Sequence, residues 1–276
     1  MSTAARPPSA ASQQAAYPLA RWRIWLAAAG LALILACLVP PVLSLALRYV
    51  LVESLQFAVF AMAAPALIAL GAPWRLLGLS RAPSAPGKAG GPMDHLAASR
   101  RQHRSFARSA GFLVTFMAVS VCWRLPPVVS ALPRQPWLIA AELVTLLPAG
   151  TALWLELVPS PPLAPRLSRP HRAVVAALAM WFTWGMAYAI GLSNTAIFRG
   201  YAALPGRALG QLADQEIAVA IVWAVAGLCF VPVVITTLVS WLTRGDDPDE
   251  ELQQIVRDDR QRAVVRGWGP RKRLPR

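Results

Sequence analysis

Six long apolar segments, separated by more polar segments, lie between residues 22 and 243 of this chain. The hydrocarbon core of a bilayer is about 30 Å thick, so a spanning helix needs roughly 20 mostly apolar residues. Six segments meet that requirement, namely 22–43, 52–72, 107–126, 136–157, 171–192 and 216–243. The pattern predicts an all-α, polytopic transmembrane helix bundle with six spans.

The bundle is predicted to form one domain, residues 22–243, between two polar tails. Residues 1–21 are rich in Ala, Ser, Pro and Gln, a composition typical of disorder. Residues 244–276 form a charged tail that begins acidic and ends basic.

Three connecting segments have predicted roles of their own. Pro40 and Pro41 remove two backbone donors and end the first span, so residues 42–51 are predicted to lie at the membrane interface. Residues 73–108 contain several Pro and Gly residues and are predicted to be a flexible linker. The longest loop on the opposite side, 193–215, is predicted to pack over the bundle.

Basic residues cluster in alternate gaps between the apolar segments. The N-terminal segment up to Arg23, the C-terminal tail and the gaps 73–108 and 158–172 hold 22 of the 27 lysines and arginines. Because cytoplasmic loops are enriched in basic residues, both termini are predicted to be cytoplasmic. Six spans also require both termini on one side. The sequence thus predicts a multi-pass membrane protein.

The composition fits a membrane protein better than a nucleic-acid-binding protein. Charged residues make up 14% of the chain, against about 25% in soluble domains. The net charge is +14. The basic residues responsible lie next to the spans, where their roles in orienting the protein in the membrane and in contacting anionic lipids explain them. No nucleic-acid-binding motif accompanies it, so no nucleic-acid partner is predicted.

Ionisable and amide side chains inside spans are costly, which makes them candidates for function. Most of them fall near the predicted outer ends of the spans: Glu53, Gln56, Arg124, Glu142, Asp214, Gln215 and Glu216. We expect one polar cluster there, in which carboxylates meet Arg124. The structural alternative is that Asp214 caps a helix, Glu216 suits a first helical turn and Arg124 snorkels to the interface. Glu156 is the exception, at the inner end of the fourth span.

Metal and catalytic chemistry find little support in the sequence. Copper favours imidazole, thiolate and thioether ligands, yet all three histidines fall on the predicted cytoplasmic side. Cys37 and Cys122 remain weak metal candidates. Phosphate-binding, zinc-protease and serine-hydrolase motifs are absent from the sequence, so a non-enzymatic role is predicted.

Several motifs, in order, resemble the CtaG family of cytochrome c oxidase assembly proteins associated with caa-type oxidases. The resemblance covers roughly residues 45–245 and rests on the following segments: Ala-Pro-Ala-Leu-Ile-Ala-Leu-Gly-Ala-Pro at 64–73, Trp-Arg-Leu-Pro at 123–126, Glu142-Leu143, Trp154, Pro-Ser-Pro-Pro at 159–162, and Asp214-Gln215 with Trp223 downstream. The resemblance implies a membrane-embedded assembly factor of the bacterial inner membrane, with oxidase subunits or a copper chaperone as partners.

The family histidines, which one would nominate as copper ligands, are missing. They align with Val52, Gln56, Arg124 and Leu143 in this chain. No cofactor is therefore predicted, and copper is possible only without its usual ligands. The favoured hypothesis is a scaffold that assists oxidase assembly, with a role around copper-site maturation. The alternative is a transporter or channel for a small solute or metal ion that uses the outer carboxylates.

Overall fold

A computed structural model describes residues 21–80, 91–102, 105–201 and 208–244, together with residues 250, 251, 253, 254 and 257. The predicted disordered tail 1–21 lies outside these residues except for Arg21. The charged tail 244–276 also lies largely outside them. The disorder proposed for residues 1–21 therefore stays a prediction, as does the cytoplasmic location of the charged tail.

The described chain is all-helical, which confirms the predicted fold class. Six helices are long and apolar enough to span a membrane. They are α1 (Arg21–Leu38), α3 (Val50–Gly71), α5 (Phe106–Arg124), α7 (Trp137–Leu157), α8 (Arg169–Gly191) and α9 (Gln211–Arg244), and the short helices between them are α2 (Pro40–Ala46), α4 (Pro92–Gln102) and α6 (Pro126–Ala131). The cytoplasmic orientation of the termini stays a prediction.

The first span is shorter than the predicted segment 22–43. Helix α1 ends at Leu38, and the two prolines that follow begin the separate helix α2 rather than extending α1. Residues 42–51 are not simply an interfacial segment, because Ala46 and Val50 are fully buried. Only part of the segment, including Arg48, is exposed.

The predicted linker 73–108 contains a docked helix, which corrects the prediction of a flexible segment throughout. Within α4, Ala97 and Arg100 are buried. Arg100 donates to Glu156 at 2.7 Å, and the Ser109 hydroxyl donates to the second carboxylate oxygen at 2.8 Å. Burial is the main influence on the pKa of Arg100 and lowers it, while Glu156 opposes that shift. The sequence of this helix is poor in apolar residues, so only Met93 and Ala97 pack against an apolar cluster with Trp74 and Leu163, and the ion pair adds to that contact.

Helix α3 is interrupted by a π-helical turn midway along its length. Val59–Ala63 form a π-helical turn, and Pro65 follows two residues later. Because proline lacks an N–H, it cannot donate to the carbonyl of Ala61. Gly150 of α7 packs directly against that carbonyl and leaves no room there for a Cβ atom. The absence of a side chain at Gly150 therefore sets the close approach of α3 and α7.

The last carbonyls of α3 receive donors from other parts of the chain. Ala72 adopts a left-handed conformation (φ 48°) and Pro73 cannot donate. The Ser160 hydroxyl instead donates to the Ala69 carbonyl, and Arg23 donates to the Leu70 carbonyl at 2.7 Å. These bonds tie α1 and the segment after α7 to the same helix end.

We expect Gly150→Ala to lower stability by about 1–3 kcal/mol, because the added methyl must displace the α3 backbone. Gly111 is the matched control: it also lies within a long helix, but a Cβ atom there has nothing within 4 Å. Gly111→Ala should be neutral or stabilise by about 0.5–1 kcal/mol. Thermal unfolding of the purified protein in detergent measures both, and equal midpoints for the two variants would contradict the close contact.

Candidate functional site

A buried ion pair joins α3 and α5 at one end of the bundle, which we call the Glu53 end. Arg124 is the last residue of α5, and Glu53 lies in the first turn of α3. Arg124 donates through Nη1 and Nη2 to the two Glu53 oxygens, at 3.0 and 3.2 Å. The side chains are 4% and 1% exposed. Such two-pronged geometry is the strongest form of arginine–carboxylate pairing.

Neighbouring groups hold this ion pair in position. Ser54 accepts from Arg124 Nη1 at 2.9 Å and donates to Glu53 at 3.3 Å. The Phe57 ring lies 4.1 Å from the guanidinium carbon, a distance that suits a cation–π contact. Arg124 therefore contacts a carboxylate, as the polar-cluster hypothesis expects. It is buried rather than extended to the membrane interface, so the snorkelling alternative does not hold.

Asp214 caps a helix, but not the helix to which it belongs. Helix α9 begins earlier, at Gln211. The two carboxylate oxygens of Asp214 instead accept from the backbone N–H groups of Val50 and Leu51, both at 2.9 Å. These groups open α3 and have no partner within that helix, so the carboxylate stabilises its N-terminus. The sixth span thereby holds the start of the second.

Two glutamines connect other segments at this end. Gln56 donates to the Cys37 carbonyl at 2.7 Å, which Pro41 leaves without its helical donor. Gln215 accepts from the Ile197 N–H at 2.9 Å and donates to the Ile190 carbonyl at 3.3 Å. Both glutamines therefore connect elements and act as structural contacts rather than as parts of an open site.

Tyr201 belongs to this end and was missed from the sequence. It is fully buried, and its hydroxyl donates to the Ala46 carbonyl at 3.0 Å. Burial raises the pKa of Tyr201, and the nearby Glu53 carboxylate raises it further, so the phenol keeps its proton. The available signal was its place in the loop predicted to pack over the bundle, since a buried tyrosine needs a partner for its hydroxyl.

Glu142 differs from the other carboxylates at the Glu53 end. It is fully buried on α7. Neither of its oxygens has a hydrogen-bond partner among the described residues. Glu53 and Arg124 are close enough to interact with it electrostatically.

The remaining candidates do not join the cluster. Glu216 is exposed, although it neighbours the buried Asp214 and Gln215. Cys37 is buried and Cys122 is exposed, and both are free thiols. The structure therefore brings Glu53, Arg124 and Glu142 together, with Asp214, Gln56 and Gln215 in supporting contacts nearby.

A narrow crevice with room for about one water molecule reaches Arg124 from between α8 and α9. Its polar lining consists of Arg124 and Ser54, and apolar side chains of the two helices and of Phe198 form the rest.

The donor set at the Glu53 end does not fit a copper ion. Copper favours imidazole, thiolate and thioether groups, whereas this end presents mainly carboxylates, a guanidinium and amides. The thiols of Cys37 and Cys122 lie nearby, one buried and the other exposed. The guanidinium of Arg124 is bound to Glu53, and Gln56 is bound to a backbone carbonyl. Among the described residues, no group of three or more His, Cys, Asp or Glu side chains is placed to hold a metal ion.

Comparison with known proteins gives one clear result. A family model described as cytochrome c oxidase caa3 assembly factor matches residues 6–244, nearly the whole chain. No curated protein and no solved structure matches it.

We expect Arg124→Gln to destabilise the protein by about 3–5 kcal/mol, because it leaves the Glu53 carboxylate buried without its counter-ion. Adding Glu53→Gln should recover much of that loss, since the double variant buries no charge at this pair. Thermal unfolding of the single and double variants measures the coupling. Glu216→Gln, at an exposed carboxylate, is the control and should match the wild type. Strictly additive effects would show that the pair is not coupled.

Proposed function

The chain belongs to the cytochrome c oxidase caa3 assembly factor family, and we propose that it supports oxidase assembly as a membrane scaffold without a copper site of its own. The observation that carries this proposal is the Arg124–Glu53 ion pair. Arg124 stands where the resembled CtaG family has a histidine, and its guanidinium is already bound by Glu53 at 3.0 Å. A side chain held in this way contributes charge and rigidity rather than metal coordination.

The scaffold proposal is supported by the way the Glu53 end is assembled. Four side chains connect α1, α3, α8, α9 and the loop before α9, which we call the covering loop, through bonds to backbone groups. They are Asp214, Gln215, Gln56 and Tyr201. A surface held by such bonds changes little on binding, which favours recognition of a preformed partner surface. The basic-residue pattern predicts that this end faces the outer side of a bacterial inner membrane.

We propose that the partner is an oxidase subunit or a copper chaperone that meets this outer surface. A copper chaperone would supply the metal directly to the oxidase, with this chain positioning the two proteins. Metal then passes between partners and needs no ligand set within the bundle. Support comes from the family and from the unsuitable donors at the Glu53 end.

We expect deletion of the gene to lower cytochrome c oxidase activity several-fold in membranes, and the wild-type gene to restore it. The Glu53→Gln/Arg124→Gln double variant should also restore activity, because a scaffold needs the fold rather than the charges. Oxidase activity per milligram of membrane protein is the measurement. Normal activity in the deletion strain would refute an assembly role.

Copper binding separates the scaffold from a copper carrier. The purified wild-type protein, incubated with Cu(I) and passed through a desalting column, should retain far less than one copper per chain. A tagged form should bring down oxidase subunits from solubilised membranes under the same conditions. Stoichiometric copper on the purified protein would contradict the scaffold proposal even if the deletion lowers oxidase activity.

A further inference from the structure

Glu142 is a buried carboxyl group to which the described structure gives no hydrogen-bond donor. Its exposed fraction is 0%, and both of its oxygens lack a partner in the described residues. An ionised carboxylate in apolar surroundings is strongly disfavoured unless it is paired or neutralised. The scaffold contacts at the Glu53 end make no use of this side chain.

The neighbouring charges do not neutralise Glu142. Arg124, the cation beside it, uses both of its Nη groups on Glu53. Glu53 and Asp214 are themselves carboxylates, and Asp214 is bound to the start of α3. A metal ion is a poor alternative, because it needs several donors at once and the described residues offer no such group. A proton needs a single oxygen.

We propose that Glu142 is a proton-binding site at the Glu53 end, occupied at neutral pH, so that its side chain is a neutral carboxylic acid. The inference rests on burial, on the unpartnered oxygens and on the engagement of Arg124 elsewhere. It goes beyond the scaffold role and does not depend on it. The ligand is one proton, taken from water as an Oε–H bond forms and returned to water as that bond breaks.

Other unpartnered polar atoms lie at about the same depth in the bundle. They are Gln56 Oε1, Ser120 Oγ and Arg124 Nε, all buried and without a hydrogen-bond partner among the described residues. A helix rises about 1.5 Å per residue. By that measure the backbones of Gln56, Ser120 and Glu142 lie at depths from the Glu53 end that differ by only a few ångströms. A carboxylic acid both donates and accepts, so it suits surroundings that contain donors and acceptors.

Arg124 supplies the counterpart for the deprotonated state. Its two Nη groups hold Glu53, whereas its Nε–H has no acceptor. When Glu142 loses its proton, the new carboxylate gains an electrostatic attraction to the guanidinium of Arg124.

The other titratable groups around Glu142 set the conditions for this exchange. Glu53 on α3 disfavours a second negative charge, and Arg124 on α5 favours it. Tyr201, in the covering loop, stays protonated and adds no charge. Asp214 on α9 adds negative charge next to Glu53. Helix α8 contributes only the exposed Tyr188 between residues 180 and 190.

Infrared spectroscopy of the purified full chain at neutral pH tests the proposal. Exposed Asp and Glu side chains have pKa values of about 3.9 and 4.3 and are ionised there. A carbonyl stretching band from a protonated carboxyl group is therefore expected from Glu142 in the wild type. The band should disappear in Glu142→Gln and persist in the matched exposed control Glu216→Gln.

Stability gives a second readout for the same variants. Glutamine has nearly the shape of the neutral acid, so Glu142→Gln should fold and unfold at the wild-type temperature or above it. Absence of the band in the wild type, its persistence in Glu142→Gln, or failure of Glu142→Gln to fold would each overturn the proposal. If Glu142 were ionised and bound a sodium ion, the wild type would show no band, and the proposal would be overturned. Oxidase activity enters none of these measurements.

Discussion

Backbone hydrogen bonding inside a bilayer is the constraint on which this structure depends. Lipid offers no partner to an unpaired N–H or carbonyl group, so every break in a spanning helix must be repaired by protein. The chain contains such breaks at Pro40, Pro41 and Pro73. Its buried polar side chains lie where the exposed backbone groups need them. Three such side chains donate hydrogen bonds to backbone carbonyls: Gln56 to Cys37, Tyr201 to Ala46 and Ser160 to Ala69.

Charge pairs at the two ends of the bundle add a second level of organisation. At one end Arg124 binds Glu53, and at the other Arg100 and Arg166 share Glu156. Removing water from such charges is expensive, and only close geometry compensates for it. Both carboxylates meet that condition through two or more donors. Glu142 does not, which is why its chemistry differs from that of the other acidic residues.

The sequence was sufficient to predict the six spans, because length and apolar composition determine which segments cross a bilayer. It also placed Glu53, Arg124 and Glu142 at one end. It could not show which group Asp214 caps, because that depends on how the first residues of α3 meet α9. Nor could it reveal the docked helix α4, which is attached by two apolar side chains and by an arginine that reaches a distant glutamate. Glu216 was predicted to join the polar cluster because it is close to Asp214 in the sequence. It is exposed, because neighbouring residues of a helix point in different directions.

The cap that Asp214 places on α3 has a consequence for how the protein is made. Its partners Val50 and Leu51 lie more than 160 residues earlier in the chain. During synthesis the second span therefore enters the membrane before the last span, which supplies the partner of these two backbone N–H groups in the folded protein. Until then the start of α3 depends on interfacial water, so the Glu53 end can be completed only after the sixth helix has been inserted. Biogenesis of this end is thus coupled to translation of almost the entire membrane domain.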